Sequence, residues 1–169
     1  MTSVTVSTDG TATVNKSRVP KTEIRLCTLD EFKVKADPLF QEHYEEIALR
    51  KDLMELKPNW PMYDALDKSG SLFIYLAMQG NVCIGYSMNL VTNHLHYADL
   101  KFSQNDVLFI KKEFRGGRIG LRLMKITEDY AKSLGCKVML WHAKEHTTLS
   151  TLLPRLKYGV QDIVFSKEL

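Results

Sequence analysis

Between an apolar run ending at Ile110 and an amphipathic stretch lies Arg115-Gly116-Gly117-Arg118-Ile119-Gly120. A turn of this composition is suited to anion binding. The first N–H groups of a helix have no intrahelical partner, and the helix dipole places its positive end there. Glycine lets the backbone approach a phosphate closely, and arginine adds charge-assisted donors. Two familiar phosphate patterns are excluded: GxxxxGK[ST] is absent, and glycines at 116, 117 and 120 lack the GxGxxG spacing. Side chains able to move a proton lie on both sides of the turn. His94 and His96 are separated by one residue, so in an extended segment they point the same way. Asp106 opens the apolar run DVLFI, and His146 follows the apolar run CKVMLWHA. No standard ligand spacing joins His94, His96 and His142 into a zinc site.

The elements that must position these residues follow from pattern. EIRLCT (23–28) reads as a strand. Residues 38–54 read as a helix with Pro38 at its start and Phe40, Tyr44, Ile47 and Met54 roughly on one face. Pro61 opens a second helix that ends at Gly70. LFIYLAMQ (72–79), Gly80-Asn81 and VCIGYSMNLV (82–91) form a hairpin signature. DVLFI (106–110) is a short strand, CKVMLWHA (136–143) a central one, and VQDIVFSK (160–167) a last one. Between the middle two, Ile119, Leu123, Ile126, Tyr130 and Leu134 make the apolar stripe of a helix closed by Gly135. Strand, helix and strand at this length imply a parallel pair with a crossover helix. With the upstream hairpin, the fold class is α/β with a mixed central sheet flanked by helices.

Composition is that of an ordinary globular chain: 169 residues, 44% hydrophobic, 25% charged and a net charge of +3. One domain is expected over 23–169. Residues 1–22, rich in Thr, Ser and Val, are an N-terminal arm or flexible tail, with Val4 and Val6, Asp9-Gly10, and Ala12 and Val14 spaced as a small hairpin. No apolar run reaches transmembrane length, and MTSVTVSTDG has no secretory signal pattern. Cys27, Cys83 and Cys136 are widely spaced and odd in number, which suits reduced, buried thiols in a cytoplasmic protein.

The stretch FIKKEFRGGRIGLRLMKITEDYAKSLGCKVMLW resembles the core of the GNAT-type N-acetyltransferase superfamily. In that superfamily a strand is followed by an acid–aromatic pair, here Glu113-Phe114, and by [R/Q]-x-x-G-x-[G/A], here Arg115 to Gly120. A helix ending in Leu-Gly and a buried strand come next. DPLFQEHYEEIALRKD, NHLHY and AKEHTT are similar to one subgroup from bacteriophage and bacterial genomes, which would place the protein in a bacterial host cytoplasm. The resemblance covers 23–169. Two positions depart from the pattern. Arg118 stands where the first motif glycine belongs, and Leu153 stands where many members place a tyrosine that protonates the leaving thiolate. Pro154 fits only a first helical turn, so the helix here should start near Thr151 or kink, and Tyr158 reads as packing rather than catalytic.

The resemblance implies transfer of an acetyl group from acetyl-CoA to a primary amine, a small molecule or a protein lysine, in a ternary complex. The pyrophosphate would sit on Gly116, Gly117, Arg118, Ile119, Gly120 and Leu121, aided by Arg115, and a backbone N–H near Ile110 would be the oxyanion donor. Candidates for the general base are, in order, His96, Asp106, His94 and His146. Glu42, Glu45 and Glu46 would favour a cationic acceptor if they line its groove, and Trp60, Tyr63 and Tyr97 could wall it. An alternative is a catalytically degenerate binding module that meets nucleic acid or a protein through Lys111, Lys112, Arg115, Arg118, Arg122 and Lys125; the balanced net charge disfavours nucleic acid. A third reading has the arm pair with another chain by strand addition, which leaves a homodimer open.

Overall fold

A computed structural model describes residues 21–168 in full and the backbone of 4–6 and 12–14. Val4–Val6 (β1) and Ala12–Val14 (β2) pair antiparallel, Val4 opposite Val14. The Asp9-Gly10 turn lies outside the described residues. The main sheet has the order β3-β4-β5-β6-β7, from Thr22–Cys27, Leu72–Gln79, Val82–Asn93, Lys101–Ile110 and Val138–Leu140. The first four strands run antiparallel, and β6–β7 is parallel. The mixed sheet agrees with the α/β expectation.

The helices differ from the sequence reading in instructive ways. α1 spans Leu29–Ile47, not 38–54. Thr28 caps it by accepting from the Glu31 N–H at 3.2 Å, and Asp30 and Glu31 complement the dipole in the first turn. Its buried face is Leu29, Phe32, Ala36, Leu39 and His43, at helical spacing throughout. Pro38 therefore sits inside the helix, on the exposed side. Burial of this stripe outweighs the roughly 3 kcal/mol that an interior proline costs. α2, Trp60–Lys68, is capped by Asn59, and Gly70 at φ +69° ends the turn after it. α3, Ile119–Ser133, follows a single 3-10 turn at Lys112–Phe114. α4 is Thr148–Arg155, begun by a reciprocal cap between Thr147 and Ser150, so it starts three residues before Thr151 and holds Pro154 in its last turn.

α1 and α2 cover one face of the sheet and α3 the other. Leu72, Ile74, Leu76 and Met78 of β4 pack with Phe32, Leu39 and Tyr86, while Phe73, Tyr75 and Ala77 pack with Leu123 and Ala131. Three strand expectations change. β6 is ten residues long and takes in the segment before Asp106. β7 is a three-residue edge strand, not a central one. Residues 160–167 form no strand, and Val160, Ile163, Val164 and Phe165 are exposed.

Candidate active site

The site is built where β6 and β7 part. They pair only over Phe102–Gln104 and Val138–Leu140. Beyond that point the Asn105 side chain takes over: its Oδ1 accepts from the His142 N–H at 2.5 Å, and its Nδ2 donates to the His142 carbonyl at 3.3 Å. One buried amide thus replaces a rung of the ladder, and the strands diverge after it. The next residue, Asp106, is the extra residue of a bulge in β6, opposite the Met88/Asn89 step.

The bulge sets which backbone groups face the gap. The Lys111 N–H donates to the Ile84 carbonyl, so in the antiparallel alternation Ile110 turns its own N–H and C=O away from β5. The Ile110 carbonyl is taken by Arg115 Nε at 2.7 Å, on that outward side. The Ile110 N–H shares this outward side. Gly85 lets the strands approach: a Cβ on it would stand 2.4 Å from Ile110 Cδ1 and 2.6 Å from the Phe109 carbonyl.

The glycine-rich turn follows at once. Gly116 adopts φ +83°, a left-handed conformation that favours glycine. Gly117 and Gly120 have no such need, and a Cβ on either would meet no protein atom within 4 Å. Neither backbone strain nor internal packing asks for glycine at these two positions, whereas a group lying across the helix start would. The first intrahelical bond joins the Arg122 N–H to the Arg118 carbonyl, which leaves the N–H groups of Arg118 to Leu121 unpaired within the helix. Arg118, at φ −90° and ψ 2°, occupies a backbone conformation open to any residue, so its replacement of glycine introduces no strain. The turn therefore fits a pyrophosphate.

Arg115 does not serve as a free phosphate donor. Its Nη atoms hold both Glu46 oxygens at 2.6 and 2.7 Å, and its guanidinium lies 5.4 Å from the Phe109 ring centre. It ties the end of α1 to the end of β6. The Glu46 carboxyl is held below the usual carboxylate range, chiefly by this pairing. Lys111 pairs with Glu42 and Glu113, and Lys125 with Asp129. Among the described residues, Lys112, Arg118 and Arg122 stand exposed without an ion pair, so they carry the positive charge around the helix start. Half of the basic cluster is thereby neutralised.

The proton-moving candidates separate. His94 and His96 occupy the hairpin end beyond Asn93 and Lys101, where His94 Nδ1 accepts from the His96 N–H at 3.1 Å. Nine strand residues, about 30 Å of chain, lie between this end and Ile110. The segment is a turn rather than extended, so the condition for the two rings to point the same way is not met, and Tyr97 is exposed there too. His146 sits at φ +61° in an exposed turn, 3.7 Å from Glu145. Asp106 is the candidate the fold keeps close: its Oδ2 accepts from the Tyr63 hydroxyl at 2.6 Å. Tyr158 donates to Glu128, which also accepts from Trp141 Nε1 at 2.9 Å, so it tethers the exit of α4 to α3.

His43 is the residue that sequence reasoning missed. Its Nδ1 is 2.7 Å from the Tyr86 hydroxyl, and its ring stacks on Phe109 with centres 4.5 Å apart. Burial pushes its pKa down to about 4, with Lys144 and Arg115 adding to the fall and Glu46 opposing it. The ring lines a cavity of about 310 Å³ between α1, α2 and the β5–β6 face, together with Tyr44, Trp60, Tyr63, Tyr86 and Val107. Glu42, Glu45 and Glu46 do not line it; they are paired with Lys111, Lys51 and Arg115. The signal for His43 in the sequence is the helical spacing from Leu29 to His43, which Pro38 masks because proline ordinarily marks a helix start.

The model of the Acetyltransferase (GNAT) family matches residues 34–151. No curated protein sequence matches the chain. Among solved structures, an aminoglycoside acetyltransferase from an uncultured soil metagenomic sample superposes with a TM-score of 0.68 at 14% identity, over 88% of this chain and 96% of that one. The ribosomal-protein-alanine N-acetyltransferase of Brucella melitensis biovar Abortus 2308 does so at 0.65 and 15%, over 88% and 99%. A Trypanosoma brucei acetyltransferase gives 0.63 and 13%, over 88% and 100%. These likenesses show the fold, and the family match, which spans more than half of the chain, shows that it belongs to the GNAT acetyltransferase family.

Proposed function

We propose that the protein is an acetyl-CoA-dependent N-acetyltransferase acting on a primary amine. The observation that carries this reading is the pair of glycines, Gly117 and Gly120, which face open space at a helix start beside a parted β6 and β7. When bound, acetyl-CoA supplies an acetyl group activated as a thioester. Overall, an ammonium R–NH3+ and acetyl-CoA give R–NH–COCH3, the free thiol and one proton.

The chain's own groups divide the work. The N–H groups from Arg118 to Leu121, with the Arg118 and Arg122 side chains, bind anionic oxygens. The outward N–H of Ile110 stabilises negative charge on a carbonyl oxygen in the gap. The amine reacts only as the free base, so a proton must leave it. Asp106 is the acceptor that stands beside the cavity, reached through the Tyr63 hydroxyl, while the buried, neutral His43 forms part of the wall. Leu153 donates no proton, so the thiol takes its proton from elsewhere, water included.

Calorimetric titration with acetyl-CoA, with desulfo-CoA and adenosine as controls, tests the reading. Saturable one-to-one binding that adenosine does not reproduce, followed by amine-dependent thiol release, is expected. Absence of binding by the folded protein would overturn it.

A further inference from the structure

We infer that the cavity between α1, α2 and the β5–β6 face is the acceptor site, and that it takes a primary monoamine with an aromatic or branched-alkyl body. The inference rests on the acetyl-transfer reading and deepens it by naming the substrate class.

Position comes first. The cavity is lined by Val107 of β6 and by Lys144, which follows β7, so it opens onto the gap where those strands part. A molecule held there presents its amine to the same gap that the Ile110 N–H faces. Size comes next. About 310 Å³ stands at the lower end of the range of ligand pockets, which suits a small amine.

Charge decides the class. The walls are aromatic and aliphatic: Phe40, Tyr44, Trp60 and Tyr86 from two helices and the sheet, closed by Met54 and Leu56 of the connecting segment. The charged lining residues are Glu55, Lys57 and Lys144, and Asp106 stands directly behind Tyr63, so acids and bases balance. The acids of α1 that could have drawn a polycation are paired with Lys111, Lys51 and Arg115. A second or third ammonium would therefore find no excess of acid to pair with. A single amine meets the opposite situation. The aromatic faces attract one cation, and the His43–Tyr86 pair gives it a hydrogen-bonding partner at the inner wall. The apolar body fills the rest. Each buried CH2 group adds affinity that a hydrophilic polyamine cannot match.

The test uses 2-phenylethylamine and spermidine as probes, in saturation-transfer NMR titrations of the full chain. Binding of 2-phenylethylamine at least tenfold tighter than spermidine is expected. Val107→Trp, which fills the cavity, is expected to abolish it, and Trp60→Ala, which removes one wall, to weaken it at least fivefold. Circular dichroism identifies any variant that fails to fold, in which case the other decides. Spermidine binding as tightly, no 2-phenylethylamine binding, or binding that survives the folded variants would overturn the inference. Acetyl-CoA is titrated into the same samples. If acetyl-CoA binds and 2-phenylethylamine does not, the acceptor class falls and the enzyme reading stands. If the reverse holds, the enzyme reading falls while the cavity remains a monoamine site.

Discussion

His43 carries the main electrostatic consequence at the scale of single residues. Its imidazole is buried among Tyr86, Phe109 and the end of α1, and its pKa falls to about 4 because burial disfavours the charged ring. An unfolded chain protonates histidine near 6.5. Between those two values the unfolded state binds a proton that the folded state refuses, so stability falls as pH drops from about 6.5 to 4. The difference amounts to about 2 kcal/mol between pH 7 and pH 4.5. His43→Gln keeps a partner for the Tyr86 hydroxyl and removes the titration. Urea melts at the two pH values should show the wild type losing about 2 kcal/mol more than the variant. Equal losses would mean that His43 is accessible enough to protonate in place. Arg115 shows the converse limit of reading chemistry from residue type. Its place in the motif was legible in the sequence, but its partner was not. Glu46 lies 69 positions away, and only the packing of α1 on the sheet brings the two together.

Elements explain which parts of the site were legible and which were not. The turn at 115–120 and α3 were readable because glycine spacing and a 3.6-residue stripe are local signals. The expected stripe packs on the sheet with Leu123 fully and Ile119, Ile126, Tyr130 and Leu134 partly buried, but the deepest face runs through Leu123, Met124, Thr127 and Ala131, rotated by roughly 75° from it. The gap between β6 and β7 was not readable. It depends on the Asn105 amide meeting His142 and on a bulge at Asp106, both products of long-range pairing. The start of α1 is not legible at Pro38, because burial of the Leu29-to-His43 stripe overrides the usual place of proline at a helix start. Two glycine substitutions separate structural from functional need at this scale. Gly120→Ala places a better helix former in open space, so it should raise stability by about 0.5–1 kcal/mol while weakening acetyl-CoA binding at least tenfold. A gain in stability with unchanged binding would remove Gly120 from the cofactor turn. Gly85→Ala is the opposite case. Its Cβ would press on Ile110 and on the Phe109 carbonyl, which cannot move without opening the β5–β6 ladder. It should cost about 1–3 kcal/mol in chemical denaturation and impair binding as well.

At the scale of the whole molecule, the sheet is the common support of two cores. Alternate residues of β4 reach α1 and α2 on one side and α3 on the other, so the acceptor cavity and the glycine turn are held by opposite faces of the same strands. The order of these layers was legible because a hairpin followed by a parallel strand–helix–strand unit admits few arrangements. The segment 160–167 was not: its apolar residues suggested a strand, yet no strand of the described residues pairs with it, since composition alone does not supply a ladder partner. A ligand seated on the turn should stabilise this whole assembly rather than the turn alone, because the strands it touches are those both cores share. Linkage sets the size of the effect. At a hundred times its dissociation constant, acetyl-CoA should add about 2.7 kcal/mol, or about 5–10 °C in thermal midpoint for a chain of this length. Differential scanning fluorimetry across a series of acetyl-CoA concentrations measures it, and desulfo-CoA should give a similar shift, since the contacts assigned to the turn are with phosphates. Gly120→Ala should begin from a higher midpoint and respond less. A shift that grows with concentration in the wild type and collapses in this more stable variant could not come from nonspecific stabilisation, and it would tie the binding energy to the helix start that the two unexplained glycines mark.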